Sequence, residues 1–167
     1  MRDNPALDIL KEALLLERRG HAFYQKVAAQ SQNAAVREFF ETMAEEELRH
    51  IDVLSSQFKA YAETRQFQVL DAGTTDSRPL AKQILSEELK QQIAAAHFEA
   101  AAISAAILME ERAVKLYGER AQSSADGQEQ ALYQWLAGWE RGHLAFLVDL
   151  DREVRDRIWN DNQFWPF

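Results

Sequence analysis

Apolar residues recur along the chain at alternating steps of three and four, the spacing that lines one face of an α-helix. Four such seams follow one another. Leu7, Leu10, Leu14, Glu17, His21, Tyr24 and Ala28 predict a first helix over 6–30. Val36, Phe40, Met43, Glu47, His50, Leu54 and Tyr61, widened by Phe39 and Ile51, predict a second that ends near Thr64. Ala100, Ile103, Ile107, Glu110, Val114, Tyr117 and Ala121 place a third over about 97–122. Tyr133, Leu136, Glu140, His143, Leu147, Leu150 and Val154 place a fourth. Asn33 is a favourable N-cap for the second helix. Asp126, with Glu129 three residues on, resembles a capping box in which Asp replaces the usual Ser or Thr.

Each seam is broken near its middle by residues that do not belong in an apolar core. They are Glu17, the pair Glu47 and His50, Glu110, and the pair Glu140 and His143. A buried carboxylate without a partner is costly or takes up a proton, so its placement needs a reason. For Glu17 alone, a helix turned so that the carboxylate reaches water is an equal reading. Glu45 and Glu46 point elsewhere around the second helix and read as a solvated face.

The chain repeats itself at a constant offset of 93 residues. That offset relates Glu47 to Glu140, His50 to His143, Glu17 to Glu110, Tyr24 to Tyr117, and the helix starts Asn33 and Asp126. Two helical hairpins, neither able to bury its own seam, pair into an all-α four-helix bundle that brings all six polar residues to one depth. Between the hairpins, Asp71–Pro79 is rich in turn residues, and Leu80, Ile84, Leu85, Leu89 and Ile93 regain helical spacing. Residues 66–96 therefore form a long crossover with a short extra helix, long enough to cross the bundle and let the second and third helices run parallel. The bundle occupies 1–157 as one domain. Residues 158–167 are an aromatic tail expected to pack on the bundle or on a second subunit.

The totals narrow the chemistry. Of 167 residues, 47 % are apolar, and six Gly and three Pro leave room for long helices. A formal net charge of −8, with no clustered basic stripe, argues against nucleic acid and anionic membranes as partners. The N-terminus resembles no signal peptide and no apolar run is long enough to span a bilayer, so a cytoplasmic protein is expected. The absence of cysteine excludes disulfides, thiolate zinc sites, cysteinyl iron–sulfur clusters and a thiol nucleophile.

What remains is oxygen and imidazole. On a helix, i and i+3 share a face, so each Glu-x-x-His aims a carboxylate and an imidazole at one point. Four carboxylates crowded in an apolar core repel, and two divalent cations would cancel their charge. Hard oxygen with imidazole favours iron or manganese, with zinc able to intrude. Bridging carboxylates would hold two such ions close together and leave positions for dioxygen or peroxide.

In these residues the chain resembles the ferritin-like di-iron carboxylate proteins, and among them the rubrerythrin-like members, over about 6–157; their ligand set is a known one. The resemblance implies that Glu17, Glu47, His50, Glu110, Glu140 and His143 ligate two iron ions. It also implies that Tyr24 and Tyr117 orient ligating carboxylates by hydrogen bonds. Implied partners are dioxygen or hydrogen peroxide, with electrons from Fe(II) or a separate donor protein, in a homodimer or larger homo-oligomer. The implied activity is ferroxidase or peroxidase, with non-catalytic metal binding or iron storage as the alternative. Two family features are missing. Ala113 stands where rubrerythrins carry an extra Glu, and no cysteine exists to build a rubredoxin iron site. Leu48 stands where bacterioferritins carry a haem-binding Met, so no haem is expected. His21, whose counterpart is Val114, is read as partly exposed, with a place beside the ligands or among them as the alternative. His97 is read as structural. Gly20 and Ala113 either open a path for the oxidant or allow close helix packing.

Overall fold

The computed structural model describes residues 4–70 and 97–160. Four helices account for most of them: α1 (Pro5–Gln30), α2 (Ala34–Thr64), α3 (His97–Ser123) and α4 (Gly127–Asn160). No strand occurs among the described residues. The predicted extra helix falls in 71–96 and the end of the aromatic tail in 161–167, both outside the described residues. The side chain of His97 also lies outside them. α4 continues past the expected domain limit of 157, as far as Asn160.

Local chemistry sets the helix ends. Pro5 occupies the first turn of α1, where its missing N–H costs nothing, and Asn4 accepts from the Leu7 amide. Asn33 caps α2 as expected, accepting from the amides of Ala35 at 2.9 Å and Val36 at 3.2 Å. Asp126 caps α4, accepting from Gln128 at 2.8 Å and Glu129 at 3.0 Å. The capping box is only half made. Glu129 does not turn back to Asp126 but binds Arg120 and Ser124 across the α3–α4 turn.

Two apolar clusters fill the bundle, one at each end. One joins the C-terminal part of α1 (Tyr24, Val27, Ala28) and the N-terminal part of α2 (Val36 to Ala44). The start of α3 (Ala102, Ile103, Ala106) and the end of α4 (Phe146 to Val154) complete it. The other joins the opposite ends of the same helices, including Leu10, Leu54, Tyr117 and Leu136. α2 and α3 thus begin at the same end and run parallel, as the crossover length allows. α1 pairs with α2 and with α3, and α3 pairs with α4. Phe39 of α2 meets Phe146 of α4 with ring centroids 5.0 Å apart, which closes the square. The crossover starts by folding back along α2: Gln57 gives and receives hydrogen bonds with the Gln68 backbone at 3.1 and 2.9 Å. Between the two apolar clusters lies a polar waist.

The seams of α2 and α4 are buried as read, with Tyr61 half-buried. Those of α1 and α3 are rotated. Ala6, Ala13, Gly20 and Val27 are buried on α1, while Leu7, Leu14 and His21 are only half-buried. Ala106 and Ala113 are buried on α3, while Ile107 and Val114 are half-buried. The same rotation at repeat-related positions brings the small residues of both helices inward, where two backbones can come close.

Candidate metal centre

Every one of the six seam-breaking residues is inside the waist, none more than 3 % exposed. α1 and α3 each supply one carboxylate, and α2 and α4 each supply a Glu-x-x-His pair one turn apart. The residues form two overlapping groups, Glu17, Glu47, His50 and Glu140, and Glu47, Glu110, Glu140 and His143. Within each group one donor atom per residue lies within 4.8 Å of every other. Glu47 and Glu140 belong to both groups. The alternative of Glu17 turned to solvent is excluded.

The imidazoles present Nδ1 to the carboxylates. His50 Nδ1 lies 3.1 Å from Glu17 Oε2, 2.9 Å from Glu140 Oε1 and 3.7 Å from Glu47 Oε2. His143 Nδ1 lies 3.2 Å from Glu140 Oε2, 3.4 Å from Glu47 Oε1 and 3.8 Å from Glu110 Oε1. The carboxylates of α1 and α3 are tied crosswise. Tyr117 of α3 donates to Glu17 of α1, and Tyr24 of α1 donates to Glu110 of α3. Each tyrosine thus orients the carboxylate of the other hairpin. Burial, then the charges of those carboxylates, push both phenols well above their ordinary range and keep them donors.

Protons now balance the charge. Burial, reinforced by the charges of Glu140 and Glu47, raises Glu17 and Glu110 well above the usual carboxyl value. Burial acts in the same sense on Glu47 and Glu140 but is outweighed there. Hydrogen bonds from Glu17 and both imidazoles hold Glu47 low; the charge of His50 and bonds from both imidazoles hold Glu140 at about 2. Burial disfavours the imidazolium, yet the surrounding carboxylates win, with Glu140 foremost, and both histidines are raised. In the metal-free waist, protonation is therefore favoured on Glu17, Glu110 and both imidazoles and disfavoured on Glu47 and Glu140.

The centre has two unlike faces. On the α2–α4 side the imidazoles are shut in by Trp135, Trp139 and Glu46. Glu46 corrects the sequence reading. It is not on a solvated face but fully buried, 2.7 Å from Nε2 of His143; Glu45 is exposed as expected. On the α1–α3 side a slot of about 10 Å³ reaches the four glutamates between Leu16, Gly20, Met109 and Ala113. That is about the room one water needs. Gly20 and Ala113, related by the repeat, thus line an opening as well as permitting close packing. A Cβ on Gly20 would sit 3.4 Å from Cδ and Oε2 of Glu47. His21 stands apart from the centre: it is half-buried and its Nδ1 donates to the Ala44 carbonyl at 2.8 Å. It is in neither donor group.

The donor set fits a pair of hard cations. Each Nδ1 faces three carboxylates at once, and a single N–H cannot serve them all. Glu47 Oε1 is left buried without a hydrogen bond, Glu140 Oε1 has only an off-angle contact with His50 Nδ1 at 2.9 Å, and both belong to the residues shared by the two groups. Such orphaned oxygens are costly unless something electropositive joins them. Two ions of charge two would satisfy them and replace the protons.

The Rubrerythrin family model matches residues 8–151, which contain all four helices' contributions to the waist. No curated protein and no solved structure matches the chain.

Proposed function

Starting from the chain's membership of the Rubrerythrin family, we propose that it is a di-iron oxidoreductase that oxidises Fe(II) with dioxygen or hydrogen peroxide. One observation carries this reading: two buried donor groups of four residues share Glu47 and Glu140. Carboxylates shared in this way could serve two ions at once. Glu17, Glu47, His50 and Glu140 would hold one ion, and Glu47, Glu110, Glu140 and His143 the other. Bound iron would supply redox chemistry between Fe(II) and Fe(III).

The chain's own residues prepare the site for that chemistry. Glu47 and Glu140 would contribute to both positions, and Tyr24 and Tyr117 hold the carboxylates of Glu110 and Glu17 in place. The apolar clusters above and below the waist keep bulk water out, which strengthens every charge interaction inside. The slot at Gly20 and Ala113 admits a molecule of about the size of water to the carboxylate side. Ala113 leaves that space open where the family's additional glutamate would stand. Electrons come from Fe(II) itself or from a separate donor protein.

The test is the pair of substitutions Glu47→Ala and Glu140→Ala in one chain. Two bound metals per chain and peroxide- or dioxygen-dependent Fe(II) oxidation are expected in the unaltered protein, and neither in the variant. Retained metal content in the variant overturns the site. Retained binding without turnover in the unaltered protein leaves iron storage in place of catalysis.

A further inference from the structure

His50 and His143 hold matching places in the repeat, yet their outer nitrogens meet different chemistry. Nε2 of His143 lies 2.7 Å from Oε2 of Glu46, and both side chains are fully enclosed. Nε2 of His50 is buried without a hydrogen-bond partner. Instead, two indoles stand edge-on to its ring, Trp135 with centroids 5.6 Å away and Trp139 at 5.5 Å. Trp139 is the repeat counterpart of Glu46, at the same offset of 93. One duplicated position therefore carries a carboxylate in one half and an indole in the other.

On the basis of the di-metal reading above, we propose that the two metal positions are unequal: the His143 position fills first and holds its ion more tightly, and Glu46 is the positioning residue that sets this order. An imidazole that ligates through Nδ1 carries its proton on Nε2. Glu46 accepts that hydrogen bond, fixes the tautomer and ring angle, and shifts negative charge toward Nδ1. An indole N–H is a donor only and cannot do the same for His50. Partners such as Glu46 change metal affinity by roughly 10–100-fold.

Cobalt(II) added to the metal-free full-length protein tests this. Calorimetry is expected to resolve two binding steps separated by roughly 10–100-fold. A crystal prepared with one equivalent should show its anomalous peak at His143. Glu46→Gln keeps the shape and removes the charge; it should weaken the first step, leave the second, and spread a single equivalent over both positions. Equal occupancy in the unaltered protein, or His50 filling first, overturns the proposal. So does a Glu46→Gln protein in which both steps weaken alike, because that is the mark of a loosened bundle. An unaltered protein that takes up no cobalt fails at the di-metal reading itself, whereas two equal sites leave that reading intact.

Discussion

The apolar ends of the bundle and its polar waist are built to opposite rules. At the ends, buried aromatics and aliphatics such as Phe39, Phe40, Leu132 and Leu136 fill space without polar atoms, and Tyr133 and Trp135 are exceptions whose hydroxyl and indole nitrogen are buried without a hydrogen bond. At the waist, seven ionisable side chains, the six candidate ligands and Glu46, are buried together, and Glu47 Oε1 and His50 Nε2 find no hydrogen-bond partner. Their burial works against folding unless protons or cations accompany them. The ends therefore hold the helices in place, and the waist is held by them in a state that favours a ligand. Stability and candidate chemistry are separated along the bundle axis.

Four measurements would break or sharpen that contrast. The largest effect belongs to the ends: Phe40→Ala should cost about 3–5 kcal/mol in chemical denaturation, as an enclosed ring replaced by a cavity does. Metal stoichiometry in the surviving folded fraction should stay unchanged. A much smaller loss would mean the ends do not carry the fold. Next comes the waist with its ions. Metal filling one site at about a hundred times its dissociation constant should add about 2.7 kcal/mol, read as a rise in Tm. A Tm indifferent to Fe(II) would argue against a shared buried centre.

Third is pH. Glu17 and Glu110 are raised in the folded chain, so the stability they give the metal-free form is complete below the ordinary 4.5 and is lost as pH rises. The raised imidazoles act in the same sense from the ordinary 6.5 upward. Glu140, held at about 2, stabilises above 4.5 and loses that only as pH falls toward 2. Metal binding needs the ligands deprotonated and so strengthens with pH. Between about pH 6 and about pH 8 the metal-free Tm should fall while the gain from metal widens. A constant gap would contradict this protonation pattern. The smallest effect lies on the border of the two regions. Tyr117 packs its ring in one apolar cluster and gives its hydroxyl to Glu17, so Tyr117→Phe should cost only about 1 kcal/mol in the metal-free form. A loss as large as that of Phe40→Ala would erase the distinction.

Much of this was legible because large residues mark α2 and α4 plainly and because the repeat fixes six positions together. The seams of α1 and α3 were misjudged in rotation for a physical reason. Pattern reading favours Leu7, Leu14 and Ile107 by size, whereas close approach of α1 and α3 favours Ala13, Gly20 and Ala106. Glu46 was missed because it adjoins Glu47 and so points about 100° around the helix from it. A signal was present nonetheless. Glu46 stands three residues after Met43 and four before His50, both in the seam, and its repeat counterpart is a Trp. Glu129 shows the other limit: a capping sequence cannot tell that Arg120 waits across the turn as a stronger partner.

The slot between Gly20 and Ala113 has a consequence for selection. A recess with room for about one water leaves no place for a bulky organic group beside the four glutamates unless α1 and α3 part.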